Sequence, residues 1–75
     1  MREYEVVLTY LNGCAGAAYP VTTVEEIEAK SPAQWLREKY DRNFEKFLCE
    51  VEEPGHQIWS WDTGVISYRY EFTEL

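Results

Sequence analysis

Few residues of this chain are equipped for chemistry. There is one histidine, His56, and there are two cysteines, Cys14 and Cys49. These are too few and too scattered for a zinc site, which takes about four ligands at characteristic spacings. Two cysteines do not make a disulfide framework either, although a single Cys14–Cys49 bridge stays open. Gly13 and Gly16 lack both the spacing and the lysine of a phosphate-binding loop.

Positive charge is scarce as well: seven Lys and Arg stand against fourteen Asp and Glu. Five of the bases (Lys30, Arg37, Lys39, Arg42, Lys46) fall in residues 30–46 beside three acids (Glu38, Asp41, Glu45). The remainder therefore holds two bases and eleven acids. A field of that sign repels phosphate backbones and anionic lipid, so neither nucleic acid nor a membrane is an expected partner. It attracts a basic protein surface and speeds encounter with one. The chain opens Met1-Arg2-Glu3-Tyr4-Glu5, without the apolar stretch of a secretory signal, and no apolar run is long enough for a bilayer. The expected compartment is the cytoplasm, where both thiols stay reduced.

What the chain does have is aromatic rings: three Trp, six Tyr and three Phe. Each can bury ~150–250 Å², so a chain of one-domain length can pack a core without staples. Residues 1–75 are read as a single small α+β domain.

Tyr4, Val6, Leu8 and Tyr10 alternate with Glu3, Glu5, Val7, Thr9 and Leu11, the pattern of a strand over 3–11. Asn12-Gly13 ends it, and a small-residue loop follows over 13–18. Residues 21–29 carry two signals. Val21, Thr22, Thr23, Val24 and Ile27 favour a strand, whereas Thr23 and Glu26 spell a capping box. The strand is preferred, because a second helix start follows at once. There Ser31 is an N-cap, Pro32 sits at N1 and Gln34 at N3.

Leu36, Tyr40, Phe44, Phe47, Leu48 and Val51 then form a stripe of helical period, predicting a helix from 32 to about 52. Arg37–Asp41, Glu38–Arg42 and Lys46–Glu50 are opposite-charge pairs four apart. Two features weigh against the last turns. Glu50, Glu52 and Glu53 would crowd the negative end of the helix dipole, and Phe47, Cys49 and Val51 alternate like a strand. Pro54-Gly55 stops either element. Residues 57–61 and 65–73 read as hairpin arms around Asp62-Thr63-Gly64. The expected fold is α+β in ββαββ order: a four-stranded, mainly antiparallel sheet with one helix on one face. Its expected core is Val6, Leu8, Leu36, Tyr40, Phe44, Phe47, Ile66, Tyr68 and Phe72. Val7, Leu11, Trp59 and Trp61 are then expected on the uncovered face.

Asp62-Thr63-Gly64 resembles the signature of aspartic proteases, in which two carboxylates share a proton and activate water. Here Trp61 precedes it and Val65 follows, and the triplet is equally good turn chemistry with Gly64 at φ > 0. The turn is preferred. His56 could serve Cys14 or Cys49 as a base, but no spacing joins them. Glu50, Glu52, Glu53 and His56 show no calcium-loop pattern. Lys39, Arg42 and Lys46 on one helix side are explained by the ion pairs above. No catalytic residue, metal ligand or cofactor site is assigned, and the chain is read as non-enzymatic.

The functional expectation rests on acids at strand spacing. Glu3 and Glu5 share one strand face; Glu26 and Glu28 share a face of the next, with Glu25 opposite. Carboxylates two apart on a strand lie ~6.6 Å apart, an array able to imitate a phosphate backbone. The expected role is protein binding through Glu3, Glu5, Glu25, Glu26 and Glu28, with Trp59 or Trp61 as anchor, against a larger basic partner that handles nucleic acid. In size, acidity and aromatic content the chain resembles phage or mobile-element inhibitors of host enzymes, such as anti-CRISPR proteins. The alternative is a homodimer or other homo-oligomeric accessory domain whose acidity serves solubility alone.

Overall fold

The computed structural model describes residues 1–12 and 20–75. The expected loop over 13–18 and Cys14 lie outside the described residues. The elements in chain order are β1 (Arg2–Asn12), β2 (Val21–Ala29), α1 (Pro32–Tyr40), a 3-10 segment (Asp41–Lys46), β3 (Leu48–Glu53), β4 (His56–Asp62) and β5 (Ile66–Glu74). The strands form one sheet in the order β2-β1-β5-β4-β3, antiparallel throughout. The last strand of the chain is thus the central one.

This corrects the expected four-stranded ββαββ arrangement. Among the described residues there are five strands, in the order ββαβββ, because residues 48–53 are extended rather than helical. Ser31 does cap α1, its Oγ accepting the Gln34 N–H at 3.1 Å, with Pro32 in the first turn. The α-helical turns then end at Asp41, whose φ of 50° no L-residue adopts inside a helix. Only 3-10 turns follow, and Phe47 is already extended (φ −76°, ψ 141°). The break removes the geometry of the expected Arg37–Asp41 and Glu38–Arg42 pairs. Arg37 lies instead over the Phe44 ring at 5.0 Å, and Glu38 accepts from the Gln34 amide at 3.4 Å. Glu50, expected to pair with Lys46, approaches Arg69 at 3.9 Å. The three acids of β3 escape a helix C-terminus that would have disfavoured them.

β3 turns into β4 through Pro54-Gly55, with Glu53 opposite His56. Pro at the first turn position and Gly55 at φ 77° suit a type II turn. The β4–β5 turn is built as its residues suggest. The Asp62 carboxylate accepts the Gly64 N–H at 2.8 Å, and Thr63 Oγ1 accepts the Ile66 N–H at 2.9 Å. Gly64 sits at φ 90°.

The core lies between the sheet and the helical segment. Tyr4, Val6, Leu36, Phe47, Tyr70 and Phe72 are buried in it, and Leu8, Ile27, Trp35, Tyr40, Phe44, Trp59, Trp61 and Tyr68 pack around them. Leu36 and Phe72 are wholly inaccessible. Much of the contact is edge-to-face aromatic packing, for example Trp35 on Tyr70 and on Phe72, both at 5.7 Å between centroids. Ile66, expected in the core, is half-buried and outside this cluster.

Candidate functional site

The helix covers one face of the sheet, and pairing fixes which residues remain on the other. The open face carries Glu3, Glu5, Val7, Thr9 and Leu11 from β1. Opposite them on β2 are Glu28, Glu26, Val24 and Thr22. On the other flank of β1, Thr73, Glu71, Arg69 and Ser67 continue the face, and then His56, Ile58, Ser60 and Asp62 from β4.

Four of the predicted contact residues meet at one corner of this face. Glu3 is directly opposite Glu28, and Glu5 directly opposite Glu26. Side chains so placed have Cβ atoms ~4.5–5.5 Å apart, and like charges there are destabilising. Among the described residues no Lys, Arg or His nitrogen lies within ion-pair distance of these four carboxylates. Glu3, Glu26 and Glu28, together with Ile27, also line a shallow, open depression at the β2 edge. Among the described residues no three acidic, histidine or cysteine side chains converge to hold a metal ion.

Glu25 does not join the quartet. It pairs with Val6 and so lies on the helix-covered face. There its charge bears on Tyr70, whose phenol is pushed well above the usual tyrosine range, first by burial, then by the Tyr40 hydrogen bond and neighbouring charge including Glu25.

The two tryptophans are corrected more sharply. Trp59 pairs with Tyr70 and Trp61 with Tyr68, which puts both on the helix side. Trp59 meets Phe44 at 5.6 Å; Trp61 stacks on Tyr68 at 5.4 Å and contacts Phe47 at 5.5 Å. They are partly buried and pack against the core, so neither lies on the open face with the acids. The cause is register. Expected arms of 57–61 and 65–73 put Trp61 opposite Val65, whereas Trp61 is opposite Tyr68. An odd shift in pairing turns every side chain of a strand to the other face. The signal that was missed is the Tyr68/Tyr70 pair, whose ring faces two tryptophans at matching spacing can cover.

The other chemical residues are dispersed. His56 Nε2 is 2.8 Å from the Glu71 carboxylate on the open face. Cys49 is an exposed free thiol opposite Trp59, on the helix side, so it and His56 lie on opposite faces. Burial and the neighbouring Glu52 raise the Cys49 thiol above its usual range, which disfavours the thiolate. Asp62, held by the Gly64 N–H in an exposed turn, has the role of a turn residue. Glu50 and His56 are engaged separately, Glu50 near Arg69 and His56 on Glu71, while Glu53 stands opposite His56 on the open face and Glu52 belongs to the helix side opposite Gln57. Among the described residues no helix is long and apolar enough to cross a membrane. Comparison with protein-family models, curated proteins and solved structures gives no significant match to this chain.

Proposed function

We propose that this chain is a non-enzymatic binding module that docks its acidic sheet corner on a basic surface of a larger, nucleic-acid-handling protein and occludes it, in the manner of phage or mobile-element inhibitors. The observation that supports this reading is the quartet Glu3, Glu5, Glu26 and Glu28, two like-charge pairs facing each other across β1 and β2 with no basic nitrogen within ion-pair distance among the described residues. Such an arrangement costs stability in the free chain. A ring of Lys or Arg from a partner would reverse the sign of that term. The apolar part of the contact is supplied by Val7 and Val24 beside the quartet, Val24 being 61% exposed.

The test is capture of partners from lysate by the wild-type chain and by the quadruple variant Glu3→Gln, Glu5→Gln, Glu26→Gln, Glu28→Gln, at low and high salt. Basic nucleic-acid-handling proteins should be retained by the wild type at low salt and lost both with the variant and with salt, because rim charges set the association rate. Recovery of the chain alone under every condition overturns the proposal and favours a homo-oligomer.

A further inference from the structure

β2 is a terminal strand of the sheet, and among the described residues no strand pairs with its outer edge. The edge runs for nine residues without proline, lysine or bulge; the charges that guard it are all acidic, Glu25 pointing to the helix side and Glu26 and Glu28 to the open face, so they deter an acidic strand and leave the edge open to a basic one. Every second residue along it presents an N–H and a C=O away from β1, unsatisfied by the sheet. The strand is also divided in composition. Val21-Thr22-Thr23-Val24 is β-branched, with Val21 53% and Val24 61% exposed. Glu25-Glu26-Ile27-Glu28 is acidic on both faces, Glu26 and Glu28 on the open one and Glu25 on the helix side. The two halves ask for different side chains opposite them.

We infer that β2 takes up an extended basic segment of the partner as a sixth, antiparallel strand. This rests on the binding reading above and specifies its mode: main-chain bonds provide affinity, and alternate side chains provide specificity. Antiparallel pairing continues the pattern of the whole sheet and is slightly the more stable. In that orientation the segment's N-terminal half lies opposite Glu28, Ile27, Glu26 and Glu25, and its C-terminal half opposite Val24 to Val21. The complementary pattern is basic, apolar, basic, basic, followed by β-branched residues. Direct cross-strand neighbours of opposite charge are then formed at three positions, and Glu3 and Glu5 add to the field from the next strand. A second copy of this chain is a poorer occupant, because its own β2 brings Glu25, Glu26 and Glu28 rather than bases.

The probe is the synthetic peptide Lys-Ile-Lys-Lys-Val-Thr-Thr-Val, titrated into the full chain. Two isomers carry N-methyl groups on alternate residues, one set on the odd positions and one on the even, with charge unchanged. Only one set of N–H groups can face β2 in an antiparallel ladder. One isomer should therefore bind like the parent and the other at least about tenfold more weakly, the loss of a net hydrogen bond or more. Amide signals of residues 21–28 should shift with the parent peptide. The reversed sequence, which reproduces the charge pattern only in parallel, should bind more weakly. Equal binding by both methylated isomers means that charge alone docks the peptide: strand addition is then wrong while the acidic docking reading survives. If neither the peptide nor polylysine binds at low salt, both fall. A dimer in sedimentation whose formation blocks the peptide would show the edge taken by a second copy, and would also overturn the inference.

Discussion

Tyr40 and Tyr70 give the sharpest test of how this small core is held. Their hydroxyls share a hydrogen bond between the helix and the central strand. The two ends are unequal: Tyr70 is 2% exposed, whereas Tyr40 is half-buried at the helix end. Tyr40→Phe leaves the Tyr70 hydroxyl buried without a partner, at a cost of about 1–3 kcal/mol. Tyr70→Phe leaves the Tyr40 hydroxyl within reach of water and loses only the net bond, about 0.5–1.5 kcal/mol. The double variant removes both polar groups while keeping both rings, and should be close to wild type or no worse than Tyr70→Phe. At about 0.05–0.15 kcal/mol per residue, the whole chain holds on the order of 4–11 kcal/mol, so these differences are readily resolved. Each kcal/mol moves the midpoint of a domain this size by roughly 4–8 °C. Urea unfolding of the four proteins, with m-values compared, is the assay. If Tyr70→Phe were the costlier change, or if the two losses simply added, the asymmetric-burial reasoning would be refuted.

The same pair sets a pH limit. Burial raises both phenols above the ordinary value of about 10, so above that pH the unfolded chain holds fewer protons than the folded one. Stability should be flat in this term below pH about 10 and fall as pH rises beyond it, less steeply in the Tyr40→Phe, Tyr70→Phe double variant; denaturant midpoints across alkaline pH check this. Asp41→Gly should stabilise by about 1 kcal/mol, because φ 50°, ψ −107° suits glycine, while Asp41→Ala should bring no gain; thermal melts showing glycine below alanine would contradict this. Glu5→Gln should raise stability by about 0.2–1 kcal/mol at low salt by relieving the opposed Glu26, and the gain should shrink as salt screens the pair, which parallel melts at two ionic strengths will reveal. Leu36→Ala, at an inaccessible position, should cost about 2–5 kcal/mol in denaturant unfolding.

Local chemistry was enough to place much of this fold. Alternation along Tyr4–Tyr10, the β-branched residues of Val21–Ala29 with a helix start close behind them, the Ser31-Pro32 cap and the turn residues at 54–55 and 62–64 all act within a few residues, and these elements are built as preferred from the sequence. That Glu3 and Glu5 share a face, and Glu26 and Glu28 another, was legible from the two-residue period of a strand; that the two pairs stand opposite each other was decided by the register of β1 and β2. Residues 44–53 were not legible, because Phe44, Phe47 and Val51 fit a helical stripe while Phe47, Cys49 and Val51 fit a strand. The decision came from β4: pairing Leu48–Glu53 with His56–Asp62 satisfies the inner side of β3 and the side of β4 that β5 leaves open, and lets Phe47 enter the core from the end of the 3-10 turns. Tertiary structure also decided which face received Trp59 and Trp61. Their period was visible, but its phase was not, since phase depends on the pairing of β4 with β5 and on the aromatic surface that Tyr68, Tyr70, Tyr40 and Phe47 together present. Period is a property of a segment; register is a property of two segments, and only their contact fixes it.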